Sequence, residues 1–192
     1  MADKKYKLTS EKLEWEGHVL YRIKALKDFA DIKAGDLGGY IEREFNLSQT
    51  GSCWVYNDAK VDGMAIVFDN ARIKDHAIIS GYAVVCEDAL AYGNVIIKDT
   101  VVVSDKAVIS DSVIAYDNAK ISGKTKISGQ AIIHGDAVVS GYGSICGDAE
   151  ICEKAVLDGG FVISSGIIST NISVENNNDN VNNIQNIKFK EI

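Results

Sequence analysis

From Gly51 to Thr170, small and branched apolar residues recur with a period of six. The stretch divides without a gap into twenty hexads, from GSCWVY at 51–56 to SGIIST at 165–170. The fifth position is Val or Ile in sixteen of them, the exceptions being Ala91, Ala115, Leu157 and Ser169. The third position is Ala in twelve, and the first is Gly in ten and Asp in six. Alternate residues of a strand face opposite sides. Positions three and five therefore share one face, which the apolar pattern makes the core, and positions four and six share the other. Positions one and two turn a corner, where Gly, Asp and Asn tolerate left-handed backbone angles. Each hexad reads as one short strand plus a bend, and self-similarity at a fixed short period predicts a solenoid. FNLSQT at 45–50 continues the phase upstream in a weaker form. The chain has no proline in 192 residues. Proline cannot donate to the continuous strand ladders that such stacking requires.

The iterated V/I-x-G-x-A-x pattern resembles the hexapeptide-repeat, left-handed parallel β-helix (LpxA-like) superfamily. Here glycine falls two places after the aliphatic residue rather than beside it. The stretch YRIKALKDFADIKAGDLGGYIEREFNLSQTGSCWVY, 21–56, resembles the YdcK-like branch of that superfamily, which is often prophage-encoded. The resemblance implies an all-β, single-stranded left-handed helix whose three-hexad coils have a triangular section, and it implies assembly as a homotrimer. The expected organisation is a β cap over 1–44, a hexapeptide-repeat helix over 45–170, and a tail over 171–192. Within the cap, KLEWEGHVLYRIKAL reads as a hairpin turning at Glu16-Gly17. The tail holds eight asparagines between 171 and 186 and regains apolar alternation at Ile187 and Phe189. It reads as partly flexible, or as a terminal strand or short helix that packs on a neighbour.

With three hexads per coil, residues 18 apart stack. One outward column is Lys60, Ile78, Ile96, Ile114, Ile132 and Glu150, and its four isoleucines form an apolar stripe of the kind that marks an interface. Ile78, Ile96, Ile114 and Ile132 are therefore the expected oligomer contact, each face of a cyclic trimer meeting one neighbour. The adjacent column on the same face is Asp62, Ser80, Lys98, Tyr116, His134 and Cys152. This places Lys98, Tyr116, His134 and Cys152 along the expected groove between subunits.

Composition narrows the function classes. The chain is 46% hydrophobic and 24% charged, with four cysteines and no C-x-x-C spacing, which suits a reduced, cytoplasmic protein. Residues 1–9 lack the apolar core of a signal peptide, and no apolar run is long enough for a membrane span. A net charge of −7 argues against direct nucleic-acid binding. No zinc-type spacing or phosphate loop occurs, so no metal and no resident cofactor is expected. Asp69, Glu87 and Asp105 stack at one corner and are read as solvated turn residues rather than a cation site.

Three functions fit these observations. The favoured one is a non-catalytic trimeric scaffold that binds a host protein or small molecule, since no loop interrupts the repeats between 51 and 170. The alternative, implied by the superfamily, is an acyltransferase using a CoA thioester with His134 as general base. A third is an acidic DNA mimic, although lysines such as Lys98, Lys106 and Lys120 break up the charge.

Overall fold

Every sixth residue from Gly51 to Gly159 has a positive φ, between 52° at Asn57 and 86° at Gly159. These are the first positions of nineteen successive hexads, and they are filled by Gly, Asp, Asn or Glu. Each bend reverses the chain enough to start a new two-residue strand, and three such bends close one coil. The computed structural model describes residues 4–174. Among them there is no α-helix, and the strands stack into parallel sheets that form a β-solenoid of about seven turns. This architecture is consistent with the left-handed β-helix that the family resemblance implies. One sheet has ten strands and the other two have seven each.

The ladder register is 18 residues. Ile78, Ile96, Ile114 and Ile132 are Cα partners of one another in sequence, and Lys60 and Glu150 continue the column at its two ends. Third- and fifth-position side chains fill the shaft, with Ala59, Val61, Ala77, Ile79, Ile97, Ala107, Ile109, Ile133 and Ile151 all fully buried. Volume is balanced between coils. Phe161 takes a third position because the residue one coil below it is Gly143, whose missing Cβ is where the ring lies.

The corners carry their own hydrogen bonds. Carboxylates at first positions accept the backbone N–H of the residue 18 places later. Asp75 accepts from Gly93 at 3.0 Å, Asp105 from Gly123 at 2.8 Å, Asp111 from Gly129 at 2.9 Å and Asp117 from Gly135 at 3.1 Å. Glycine supplies the φ at these corners, while aspartate supplies both the φ and an acceptor for the next coil. Second-position amides add a parallel row, with Asn70 donating to Asp88 at 3.0 Å and Asn118 to Asp136 at 2.9 Å.

The N-terminal end is closed by three strands, β1 (Tyr6–Trp15), β2 (His18–Ala25) and β3 (Leu37–Ile41). β1 and β2 form the expected hairpin, with Trp15 opposite His18 and both Glu16 and Gly17 at positive φ. Both turn residues are thus in the conformation that a tight primed turn requires. The simple alternation expected along β2 is interrupted. Leu20 and Ile23 are both fully buried although three residues apart, because the pairing with β3 shifts between Arg22 and Lys24. β3 then runs parallel to the strand Lys60–Val61, and this joins the hairpin to the longest sheet.

Trp54 occupies an outward fourth position, yet it is buried beneath Tyr6 and Phe29, whose rings lie 6.1 and 5.4 Å away. The Lys5 ammonium is almost fully buried beside them. It donates to the carbonyls of Cys53 at 2.9 Å and Thr50 at 3.2 Å, oxygens that have no coil beneath them.

The hexad phase fails at both ends. Leu47 bridges to Val67, 20 residues on, and Glu44–Asn46 form a 3-10 turn, so FNLSQT is not an in-phase hexad. At the far end the positive φ falls on Gly166 instead of Ser165, and Glu150 pairs with Ile167 at a spacing of 17. The inward residue of that strand is therefore Ile168, and Ser169 does not take a core position. Most of the Asn-rich tail read from the sequence lies outside the described residues.

The corner bonds yield a measurable expectation. Asp111→Ala removes both the acceptor for Gly129 and a side chain that tolerates a φ of 63°. It should cost about 1–2 kcal/mol, lowering the thermal midpoint by several degrees. Asp111→Asn, which keeps both features, should lie near the wild type in the same calorimetric comparison.

Candidate functional site

The outward column Lys98, Tyr116, His134 and Cys152 comes together as the repeat phase predicts. The ladder spacing of about 4.8 Å sets the distance between side chains on adjacent coils. The Tyr116 and His134 rings are stacked at 4.8 Å and 6°. Below them the Lys98 ammonium lies 5.4 Å from the Tyr116 ring centre. Cys152 follows one coil above His134 and is buried.

His134 is hydrogen-bonded to one carboxylate and faces a second. Its Nε2 lies 2.8 Å from Glu150 Oε1, and its Nδ1 lies 3.8 Å from Asp117 Oδ2. In the neutral ring, a carboxylate partner makes Nε2 the donor, and Nδ1 carries the lone pair. The flat contact with Tyr116 fixes the ring plane. His134 keeps 22% of its side chain exposed, so the imidazole is oriented but accessible. On the corner beside it, a shallow depression of about 580 Å³ is lined by Asp117, Asn118, Gly135, Asp136, Glu153 and Lys154, among others. Asp117 borders both this depression and the imidazole.

Ionisation of the thiol and of the phenol in the column is disfavoured. Burial, with the Glu150 and Glu153 carboxylates adding to it, pushes the Cys152 thiol up. Burial likewise raises the Tyr116 hydroxyl, helped by Asp117 and Glu150. A thiol raised in this way is not a thiolate nucleophile near neutral pH. Cys152 and His134 therefore do not form an activated thiol–imidazole pair.

Two partners of His134 were missing from the sequence reading, Glu150 and Asp117. Glu150 was legible as the residue that ends the isoleucine column. Its fourth position lies on the same face as the sixth, one coil above His134, which brings its carboxylate to the ring. Asp117 is the corner residue next to Tyr116, and only the side-chain geometry shows that it turns toward Nδ1. The other histidines stand apart. His18 pairs with Glu42 at 3.0 Å in the cap, and His76 is exposed at a corner. Ile78, Ile96, Ile114 and Ile132 form one continuous half-buried stripe beside the His134 column. Of the stacked acids Asp69, Glu87 and Asp105, Glu87 accepts the Asp105 N–H at 2.5 Å and Asp105 accepts the Gly123 N–H. Both act as corner acceptors.

No family model matches the chain. It is 45% identical over 56 residues to a protein of Escherichia coli (strain K12) named "Uncharacterized acetyltransferase YdcK". That match covers 29% of this chain and 17% of the relative's own length. The partial relative and the β-solenoid together fit the hexapeptide-repeat superfamily. Among the described residues no helix is long and apolar enough to cross a membrane.

The electrostatics of Cys152 can be read by alkylation resolved residue by residue with mass spectrometry. Its rate should rise with a midpoint above the ordinary thiol value of about 8.5. Glu150→Gln removes one of the charges that disfavour the thiolate and should move the midpoint down. An identical midpoint in both proteins would show that Glu150 does not act on this thiol.

Proposed function

We propose that the chain transfers an acyl group from a CoA thioester to a hydroxyl or amine, with His134 as general base. The observation that supports this reading is the clamped imidazole. Glu150 takes the Nε2–H, Tyr116 fixes the ring plane, and Nδ1 faces Asp117, a residue that lines the corner depression. In this reading Nδ1 accepts the acceptor's proton as its oxygen or nitrogen attacks the thioester carbonyl. The carbon–sulfur bond then breaks, and the imidazolium returns the proton to the departing CoA thiolate. Lys98 and Lys154 are the cations nearest to receive the donor's phosphates. The single chain offers only a shallow depression. The substrate groove is therefore assigned to a homotrimer, packed through Ile78, Ile96, Ile114 and Ile132 and bringing a neighbouring face against the His134 column. The similarity to a protein named as an acetyltransferase supports the same chemistry.

A non-catalytic trimeric binding scaffold is the second reading. It is favoured by the unbroken run of hexads, which leaves no loop to cover a substrate.

Release of free CoA from acetyl-CoA, assayed across amine and hydroxyl acceptors, separates the two. Acyl transfer predicts turnover that falls about 10²- to 10⁴-fold in His134→Ala with unchanged mass in solution. Absence of both acetyl-CoA binding and turnover leaves the scaffold. Ile96→Glu combined with Ile114→Glu should reduce the mass measured by light scattering to that of one chain while the circular dichroism stays strand-like. A trimer mass that survives both charges would place the interface elsewhere.

A further inference from the structure

Three different metal-binding atoms meet on the His134 face. A ring nitrogen of His134, a Glu150 carboxylate oxygen and the Cys152 Sγ all lie within 4.8 Å of one another, and Nε2 is the nitrogen that faces Glu150, at 2.8 Å. Their convergence follows from the register. Glu150 and Cys152 are the fourth and sixth residues of one hexad, so they project to the same side. His134 is the sixth residue one coil earlier and stacks directly under Cys152. Glu150 lies on a ladder strand, and His134 and Cys152 directly follow the strands Ile132–Ile133 and Glu150–Ile151, so backbone hydrogen bonds between coils set their separation. His134 N–H donates to the Ile151 carbonyl at 2.9 Å, and Cys152 N–H donates to Ile168 at 2.9 Å.

We propose that His134, Glu150 and Cys152 form a binding site for a divalent transition-metal ion, with Zn²⁺ the best match. An imidazole, a carboxylate and a thiolate make a mixed N/O/S set. The sulfur selects against Mg²⁺ and Ca²⁺, and the set suits a tetrahedral ion with its fourth position open to water or a ligand. Donor atoms around such an ion are about 3–4 Å apart. The present cluster reaches that spacing when the 2.8 Å contact between His134 and Glu150 opens slightly and the thiol moves in. As the metal–sulfur bond forms, the thiol proton leaves to solvent.

A second feature completes the site. Neutral imidazole bound through Nε2 carries its proton on Nδ1, and Nδ1 faces Asp117 Oδ2 at 3.8 Å. Asp117 is itself anchored by the Gly135 N–H at 3.1 Å. A carboxylate behind the ligating histidine is the usual means by which such a ring is oriented. Cys152 is only 6% exposed, so its sulfur is largely shielded from solvent.

The inference does not rest on acyl transfer, and the two uses of the ring are exclusive. With the metal on Nε2 and the proton on Nδ1, His134 has no lone pair left to act as a base. Metal loading would therefore turn off the proposed transfer.

The test uses Co²⁺ alone, added to the full chain under reducing conditions. A sulfur-to-cobalt charge-transfer absorption should appear, should be lost in Cys152→Ser, and should bleach when Zn²⁺ is added. Glu150→Gln, a change at a half-exposed position, should weaken Co²⁺ binding while circular dichroism stays unchanged. This second variant keeps the test decisive should Cys152→Ser fail to fold. Absence of the absorption in the wild type, or its survival in a folded Cys152→Ser, overturns the site. So does a Co²⁺ affinity that Glu150→Gln leaves untouched. The absorption together with no turnover by the metal-free protein would uphold the metal site and remove acyl transfer, while turnover by the metal-free protein with no absorption on adding Co²⁺ would do the reverse.

Discussion

The coil-to-coil backbone ladder is the constraint from which the rest of this molecule follows. Each strand contributes only two residues, so a strand alone has almost no stability. It gains its hydrogen bonds from the coils above and below, and it can do so only if every coil returns to the same register. A left-handed residue at each sixth position performs that return. The positive φ values from Gly51 to Gly159 are therefore the element that makes the inward and outward columns straight. The lack of proline, the fully buried Ala and Ile columns and the stacking of rings on the outside all depend on that geometry.

Corner residues show how the chain chooses between two ways of meeting one demand. Glycine reaches the left-handed region without steric cost. Aspartate reaches it less readily but turns its carboxylate onto the N–H one coil above. At Asp75, Asp105, Asp111 and Asp117 the acceptor serves a glycine of the next coil. The acidic surface is in this respect structural, because several of its carboxylates are engaged with backbone. A stack of acids 18 apart, which looks like a cation site in one dimension, is a hydrogen-bond relay in three.

Much of the fold was legible because a period of six leaves little freedom. The hairpin at Glu16-Gly17 and the isoleucine column followed from local rules. What escaped were the places where the period breaks, and each has a physical reason. Leu47 pairs 20 residues ahead because a 3-10 turn precedes it, and the strand Ile167–Ile168 slips by one because glycine stands at 166 rather than 165. In the site, the order of Lys98, Tyr116, His134 and Cys152 was readable from spacing. The pairing of His134 with Glu150 and Asp117 was not, since it depends on which way two carboxylates rotate.

The place of Glu150 argues that the His134 cluster is more than a chance surface grouping. Four isoleucines occupy consecutive coils of the fourth-position column, and at the next coil the column becomes acidic. That coil is the one above His134, and it is also the coil that carries Cys152. A glutamate is a poor occupant of a half-buried strand position beside an apolar stripe unless a partner holds it. His134 is that partner, at 2.8 Å. The stripe thus ends where the nitrogen, oxygen and sulfur donors begin. The same ladder that aligns the apolar face brings the three donor side chains to its edge, so whatever meets the isoleucines also borders the imidazole.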